Sequence, residues 1–234
     1  MTRPIPRALI GALAPITIVS GHYGAGKTNF SINLALDMAE SGKDVALVDL
    51  DIVNPYFRAS EQRRVLEAAS IELVAPVFSE AGTSLDVPSL TGRIMPVLED
   101  ASKDLLVIVD LGGDDVGAAA LGRFSKLIAE RSYALLYILN RHRNLMADPA
   151  DAVENLREIE SATHLQATAL VDNAHMKYET DAASLADPQG YAAAVCELTN
   201  LPLVAKTAPF SLRESAGEAE LVYSVGLYIK NPWE

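Results

Sequence analysis

The chain of 234 residues has the length of one domain, and half of its residues are apolar while 21% are charged. This composition excludes disordered and low-complexity polypeptides, and the net charge of −12 argues against nucleic acid and anionic lipid as main partners. Cys196 is the only cysteine, which excludes a disulfide framework and a cage of several thiolates within the chain.

The N-terminal segment combines Arg3 and Arg7 with an apolar stretch that runs directly into a glycine-rich loop. A signal peptide would be cleaved away from this loop, so the segment is not interpreted as one. No apolar run reaches the ~18 residues needed to span a bilayer. The sequence therefore predicts a cytoplasmic protein without stable membrane insertion, with one domain over residues 1–234 and a candidate flexible segment at residues 1–14.

Short runs rich in Val, Ile and Leu alternate with helical patterns along the whole chain. Most of these runs are continuous rather than alternating, which is typical of strands covered on both faces. The predicted strands are Ile16–Ser20, Val45–Asp49, Ile71–Val74, Leu105–Asp110, Ala134–Leu139, Ala167–Val171 and Pro202–Ala205. This order predicts an α/β fold with a single doubly wound, mainly parallel sheet that has helices on both faces.

The predicted helices lie between the strands. Phe30, Leu34 and Met38 recur at helical spacing, and two helices are predicted to begin at Asp148-Pro149 and at Asp187-Pro188, where an acceptor side chain precedes proline. Residues 220–228 also show helical spacing, and we interpret them as core or interface packing.

The strongest motif is Gly-His-Tyr-Gly-Ala-Gly-Lys-Thr at residues 21–28, which satisfies G-x-x-x-x-G-K-[ST] between a predicted strand and a predicted helix. Glycines let consecutive N–H groups converge on phosphate oxygens. Lys27 is predicted to reach the β- and γ-phosphates, and the Thr28 hydroxyl to bind Mg²⁺. The predicted nucleotide-binding residues here are Gly21, His22, Tyr23, Gly24, Ala25, Gly26, Lys27, Thr28 and Asn29.

Carboxylates follow two further strands. Asp110 ends the strand 105–110 and spaces to Gly113 as D-x-x-G, so that Asp110 is a candidate magnesium ligand and the Gly113 N–H could contact the γ-phosphate. Asp49 and Asp51 lie two residues apart after the second predicted strand. Such a pair can support Mg²⁺ and activate the attacking water, or it can cap the next helix.

The phosphate loop, the D-x-D-x-x-x-P pattern from Asp49 to Pro55 and the D-x-x-G pattern from Asp110 resemble the MinD/ParA/Mrp group of P-loop ATPases, the CobQ/CobB/MinD/ParA nucleotide-binding domain. The resemblance extends over about residues 16–215. It implies that Asp51 activates water, that Asp49 and Asp110 lie on the magnesium side, and that Lys27 and Asp51 are the catalytic residues. It further implies a homodimer with ATP at the interface, whose client is an unidentified protein or small molecule.

The chain departs from this group at two points. The group has a second lysine early in the loop, where this chain has His22 followed by Tyr23. The charge could come instead from protonated His22 or from an arginine beyond the second strand (Arg58, Arg63 or Arg64). The alternative, which we favour, is that these arginines form a solvated helix face and that His22 packs at the mouth of the loop. The cysteines of the iron–sulfur carriers are absent, so we expect no iron–sulfur cluster among the partners. The basic triplet at residues 141–143 either contacts an anionic partner or is an exposed loop.

The choice of base depends on Asn173. Guanine-specific proteins continue [NT]-K-x-D at this point, whereas Ala174 and Met176 replace the lysine and the aspartate here. This predicts adenine bound near Asn173, with Pro209 and Phe210 in a second lining loop. The alternative is that Asn173 is a turn residue.

The leading hypothesis is an ATPase that binds ATP and Mg²⁺ and acts as a dimeric nucleotide-driven switch. One alternative is an ATP-dependent small-molecule ligase or kinase, similar to the dethiobiotin-synthetase and cobyrinate-amidation relatives, with Pro76–Pro88 lining the acceptor pocket. The other alternative is a nucleotide-sensing module with little turnover.

Overall fold

The computed structural model describes residues 4–51, 59–75, 92–113, 115–174, 176–187, 189–216 and 219–229. These residues form one sheet of eight parallel strands in the order β3-β2-β4-β1-β5-β6-β7-β8. The strands are β1 (Ile16–Gly21), β2 (Asp44–Leu50), β3 (Glu72–Val74), β4 (Leu105–Leu111), β5 (Tyr133–Leu139), β6 (Ala169–Asp172), β7 (Leu203–Pro209) and β8 (Val222–Val225).

Nine α-helices occur among the described residues. They are α1 (Arg7–Ala12), α2 (Lys27–Glu40), α3 (Arg63–Ala68), α4 (Ile94–Asp100), α5 (Asp115–Gly122), α6 (Ser125–Ala129), α7 (Pro149–Thr163), α8 (Ala182–Leu185) and α9 (Tyr191–Thr199). Short 3₁₀ turns cover Ala59–Gln62, Lys177–Glu179 and Phe210–Ala216. None of the helices in the described part of the chain has the length and apolar character needed to cross a membrane.

The sheet separates two apolar cores, because successive side chains of each strand point to opposite faces. On one face Ile16 and Ile18 of β1 belong to the core that includes Leu156 of α7. On the other face Val19 packs in the core that contains Phe30 of α2. Every residue of β1 is buried, which is the physical reason for its continuous apolar sequence.

β1 lies between β4 and β5, so the loop that follows it is flanked by the loops that follow those two strands. Ligands of doubly wound sheets bind at the carboxyl edge, where the strand order changes direction. The phosphate loop lies at this point of the sheet.

All seven predicted strands are present, with shifted ends. The helical spacing of residues 220–228 is misleading, because Val222–Val225 forms the edge strand β8, which pairs with β7; the predicted core packing is present, since all four residues of β8 are buried. Val and Tyr favour strands, and this short segment completes the sheet instead of forming a helix turn. Residues 7–12, inside the candidate flexible segment, form α1, whose Leu9 is fully buried.

Both predicted helix caps act as acceptors, although only one lies at the predicted start. Asp148 precedes α7, and its Oδ1 accepts from the Ala150 N–H at 2.9 Å. Asp187 caps α9 from a distance: its carboxylate accepts from the N–H groups of Tyr191 and Ala192 at 2.8 and 3.0 Å, and the helix begins at Tyr191.

Candidate functional site: a phosphate loop with paired carboxylates

The phosphate loop connects β1 to α2 in one tight turn. Gly24 and Gly26 have φ angles of 74° and 94°, which side chains with a Cβ rarely adopt. The Ala25 N–H donates to the His22 carbonyl oxygen at 3.1 Å, and α2 begins directly at Lys27. The first N–H groups of this 14-residue helix and the positive end of its dipole therefore lie at the loop, as anion binding requires.

Lys27 lies between the loop and the segment after β4. Its side chain is 6% exposed, and Nζ donates to the His22 carbonyl oxygen at 3.1 Å. A Cβ on Gly113 would lie 2.8 Å from this Nζ and 2.6 Å from the Tyr23 nitrogen, so only glycine allows the close approach. The structure thus places Lys27 of the phosphate loop beside Gly113 of the D-x-x-G pattern. The sequence predicts a phosphate contact for each of these two residues from its own motif.

Asp49 and Asp110 form a pair of buried carboxylates at the carboxyl edge. They are register partners on β2 and β4, and each is 1% exposed. The Ser31 hydroxyl donates to Asp110 Oδ1 at 3.1 Å, and the Asp51 N–H donates to Asp49 Oδ1 at 3.1 Å. Burial, and then the neighbouring carboxylate of Asp49, hold the pKa of Asp110 above its ordinary value, while Thr28 and Lys27 act in the opposite direction.

This pair fits a divalent cation. The Asp110 Oδ2 atom is buried and makes no hydrogen bond within the described residues. Two adjacent buried carboxylates repel each other, and a hard cation with oxygen ligands removes that repulsion. The Thr28 hydroxyl, which hydrogen-bonds with Asp110, adds the third oxygen of the predicted set. Asp51 is also buried and lies one residue beyond β2.

Asn173 fastens the phosphate loop to β6 and β7. Its Nδ2 donates to the Ala25 carbonyl oxygen at 2.5 Å, and its Oδ1 accepts from the Thr207 hydroxyl. Both ends of the amide are therefore used inside the chain, and Asn173 is 2% exposed. Its contact with a base stays a prediction, and the structure adds a contact with the loop itself.

Asn29 uses its side chain away from the phosphate loop. Its Nδ2 donates to the Gly226 carbonyl oxygen and its Oδ1 accepts from the Tyr228 N–H, both at 2.9 Å. The side chain thus ties α2 to the segment that follows β8. We therefore predict that Asn29 contributes to nucleotide binding through its backbone N–H at the start of α2, and not through its side chain.

The remaining predicted lining residues lie at the same edge. His22 Nδ1 is 2.9 Å from the Tyr23 carbonyl oxygen, which requires a proton on Nδ1 because a carbonyl only accepts. Tyr23 is 55% exposed in the loop. Pro209 ends β7, and the next residue, Phe210, is 69% exposed.

Several sequence predictions lie outside the described residues. These are Arg58 with the rest of residues 52–58, and Pro76–Pro88 with its proposed acceptor pocket. Of the other two arginines, Arg63 and Arg64 are both exposed, and Arg63 pairs with Glu67 at 3.5 Å on the same helix.

Sequence reasoning missed Ser31 and Thr207, and it named Arg143 only within the basic triplet at residues 141–143, as either a contact for an anionic partner or an exposed loop. Ser31 contacts Asp110, Thr207 contacts Asn173, and the Arg143 side chain lies against Gly24 of the loop. The first could have been found from its position one helical turn beyond Lys27. The other two carry no motif, since their partners are distant in sequence.

A glycine loop between a buried strand and a helix, with a lysine directly after its last glycine and with facing carboxylates, defines a P-loop nucleotide-binding protein. Residues 16–180 match the CbiA family, described as the CobQ/CobB/MinD/ParA nucleotide binding domain, and the chain belongs to this family. The match confirms the resemblance that the motifs indicate.

One curated relative and two solved structures illustrate the range of similarity. The chain is 30% identical over 86 residues to the cytosolic Fe-S cluster assembly factor CFD1 of Yarrowia lipolytica, a match over 36% of this chain and 29% of that protein. FtsY of Thermotoga maritima is 20% identical with a TM-score of 0.51, over 90% of this chain and 66% of that one. Chloroplast FtsY of Physcomitrella patens is 17% identical with a TM-score of 0.53, over 82% and 57%.

These relatives are all longer than the matched region. The chain spans less than two thirds of the length of each of them. At 17–20% identity, the likeness to the two FtsY structures shows the fold alone.

The comparison with CFD1 corrects one prediction. We expected no iron–sulfur cluster among the partners because Cys196 is the only cysteine, yet a relative is an Fe-S cluster assembly factor. The exclusion is wrong, because a cysteine count concerns only clusters held by several thiolates of one chain. It does not concern thiolates contributed by a second copy or by another protein.

Proposed function

We propose that this protein is a magnesium-dependent ATPase that works as a dimeric, nucleotide-driven switch. The observation that carries the proposal is the juxtaposition of Lys27 and the phosphate loop with the buried pair Asp49 and Asp110 at one edge of the sheet. A polyphosphate and its cation need this combination of N–H donors, one ammonium group and oxygen ligands.

In this proposal each residue has a separate task. The loop N–H groups and Lys27 bind the β- and γ-phosphates, and Gly113 leaves the space beside Lys27 Nζ. Thr28, Asp49 and Asp110 would hold Mg²⁺, which neutralises phosphate charge when it is bound. Asp51 orients the attacking water and accepts its proton.

The chemical step transfers the γ-phosphoryl group to water. The water oxygen forms a bond to the γ-phosphorus, and the bond from that phosphorus to the β–γ bridging oxygen breaks. The proton of the water passes to Asp51, and the electron pair of the broken bond leaves with ADP. The products are ADP and free phosphate.

Adenine is the proposed base. A guanine pocket needs a carboxylate for the N1 and N2 donors, and Ala174 and Met176 occupy the positions where lysine and aspartate would stand. Two unpaired donors would weaken guanine binding by about 1–3 kcal/mol each.

The proposed dimer uses the apolar side chains around the phosphate loop. Four large hydrophobic residues are exposed in segments that follow carboxyl ends of strands, and we name them the apolar rim: Tyr23, Leu145, Tyr178 and Phe210. Exposed apolar side chains gathered at one edge favour a protein interface. A second copy of the chain, docked edge to edge, would bury the rim and enclose the nucleotide.

Steady-state hydrolysis tests the proposed activity. The purified protein is incubated with Mg²⁺ and either ATP or GTP, without any acceptor, and nucleotide and free phosphate are quantified. We expect ADP and equimolar phosphate, and calorimetric titration should give tighter binding of ATP than of GTP.

Two results would contradict the proposal. Equal or tighter binding of GTP would overturn the choice of adenine. Absence of free phosphate, together with phosphate transfer once candidate small molecules are added, would favour the ligase or kinase alternative.

A further inference from the structure

The three basic side chains of residues 141–143, which follow β5, contact two different neighbouring segments. Arg141 donates through Nη2 to the Ser184 carbonyl oxygen at 2.6 Å, and His142 Nε2 lies 2.9 Å from the same oxygen. These two side chains therefore hold the α8 segment. Arg143 is directed elsewhere: a Cβ on Gly24 would lie 3.5 Å from Arg143 Nε and 3.7 Å from its Cζ.

The backbone around Arg143 is held by a compact turn. The Arg143 N–H donates to the Asn140 carbonyl oxygen, and the Met146 N–H donates to the Arg143 carbonyl oxygen, both at 3.1 Å. The Asn140 Oδ1 accepts from the His142 N–H at 3.1 Å, and Met146 is buried. The backbone position of Arg143 beside the loop is thus fixed by hydrogen bonds within the turn, and its side chain is partly buried.

Arg143 has unused hydrogen-bonding capacity at this position. Its Nε is buried and has no hydrogen-bond partner within the described residues. Nor does any carboxylate of the described segments form an ion pair with it. A buried donor of a permanently charged, planar group is well matched by an anion that accepts from its Nε edge, and a phosphate does so in bidentate geometry.

We propose that Arg143 is a phosphate-binding residue that contacts the polyphosphate of the bound nucleotide. The inference rests on the proposed nucleotide site and adds a second cation to it. Lys27 lies on the β4 side of the loop, beside Gly113, whereas Arg143 lies on the β5 side, beside Gly24. The two cations therefore enclose the phosphate position from opposite sides.

This assignment differs from the candidates that the sequence suggested. Those were His22 and the arginines beyond the second strand, of which Arg63 and Arg64 are exposed. Arg143 is separated from the loop by more than a hundred residues but directly adjoins it, because β5 pairs with β1 through Gly21 and Ile138.

The test compares Arg143→Ala and Arg143→Lys with a matched control. Arg131→Ala removes an exposed arginine that precedes β5, at the opposite edge of the sheet. Calorimetry measures the affinity of each protein for Mg-ATP and for inorganic tripolyphosphate. Thermal unfolding is recorded without ligand and with saturating ATP.

We expect Arg143→Ala to bind ATP and tripolyphosphate about 10- to 100-fold more weakly, as the loss of a charge-assisted contact predicts. Arg143→Lys should lose less, since it keeps the charge but not the planar fork. The Tm without ligand should stay unchanged, because Nε has no hydrogen-bond partner to lose in the described part of the chain, while the rise in Tm on ATP addition shrinks. Arg131→Ala should match the wild type.

The opposite results separate this inference from the proposed function. Unchanged affinities in Arg143→Ala, or a lower Tm without ligand at unchanged affinity, would overturn the phosphate contact. If the wild type binds tripolyphosphate through Arg143 but hydrolyses no ATP, the proposed activity fails and the contact stands. If the wild type binds neither anion, both are wrong.

Discussion

We propose that Lys27 and Asp51 act at the same site but at different stages of the reaction. Lys27 begins α2, and its Nζ donates to the His22 carbonyl oxygen of the loop, where we propose that the ground-state phosphates bind. Asp51 lies beyond β2, and its N–H donates to the Asp49 carboxylate at 3.1 Å. Interactions made only in the transition state change turnover and leave binding intact.

Substitution of the two residues should therefore separate binding from hydrolysis. Lys27→Ala should lose both nucleotide affinity and hydrolysis. Asp51→Ala should still bind Mg-ATP, while hydrolysis falls by about 10²-fold or more, the usual range for general acid–base groups. Equilibrium titration and single-turnover phosphate release measure the two effects. Hydrolysis by Asp51→Ala at the wild-type rate would move the water-activating role to another carboxylate.

The buried carboxyl group of Asp172 should make the free energy of unfolding depend on pH. Asp172 is 4% exposed at the end of β6, and its pKa is raised to about 6, chiefly by burial. The charge of Asp187 also raises this pKa, whereas the cations Arg141, Lys206 and His142 lower it. Because the folded pKa is above the unfolded one, ionisation disfavours the fold, and this penalty is fully present above pH 6.

Asp172→Asn should thus stabilise the protein at pH 7.5 by up to about 3 kcal/mol, from ~1.36 kcal/mol per pKa unit. The gain should shrink as the pH falls from about 6 and should vanish below the unfolded pKa of 3.8, where the wild-type carboxyl is protonated in both states. Urea unfolding at several pH values measures it. The exposed Asp104→Asn should change stability by less than about 0.5 kcal/mol. A gain that does not depend on pH would contradict the role of ionisation.

At the scale of elements, α2 is joined to β8 more closely than the sequence indicates. The Tyr223 hydroxyl donates to Asp37 Oδ2 at 2.7 Å, and its ring meets Phe30 edge-on at a centroid distance of 5.8 Å. Asn33 exchanges hydrogen bonds with Gly226, at 2.9 Å from Nδ2 and 2.7 Å to Oδ1. The helix that begins at the phosphate loop is therefore secured along its length by the edge strand and the residues after it.

Tyr223→Phe should test this connection. The substitution keeps the ring packing but removes the hydroxyl donor from the buried Asp37 carboxylate, so we expect a loss of about 1–3 kcal/mol in the free energy of unfolding. Tyr178→Phe, at an exposed tyrosine, should change it by less than about 0.5 kcal/mol. Chemical denaturation of both variants gives the values, and equal effects would show that the Asp37 contact contributes nothing.

At the scale of the whole molecule, one edge of the sheet collects the loops that carry the site. The parallel order places the segments after β1, β2, β4, β5, β6 and β7 at that edge. The chain has a net charge of −12, yet Lys27 and Arg143 both lie at the phosphate loop. The positive charge concentrated at the loop offsets the repulsion between a polyphosphate and the negative net charge of the chain.

The apolar rim gives a prediction about assembly. With Mg-ATP and Asp51→Ala, which should retain nucleotide, light scattering should show twice the mass of the chain. Leu145→Glu, which places a charge in the rim, should keep the protein monomeric. Leu198→Glu is the matched control, because Leu198 is also exposed but lies near the end of α9, away from the rim. A monomer under all conditions would contradict the dimeric switch.

The sequence by itself determined the features whose atoms are close along the chain. The eight residues of the phosphate loop, the carboxylates at strand ends and the cap at Asp148 are readable because a local motif has a local backbone requirement. Buried parallel strands can also be recognised in the sequence, because both of their faces must be apolar.

Only the tertiary structure decided which distant side chains meet at the loop. Asn173 binds the Ala25 carbonyl oxygen across 148 positions of sequence, and Arg143, not its neighbour Arg141, lies against Gly24. The same holds for β8, whose four residues form the edge strand of the sheet by pairing with β7. Such contacts depend on strand order and on side-chain direction at the end of each strand, and neither is a property of a short stretch of sequence.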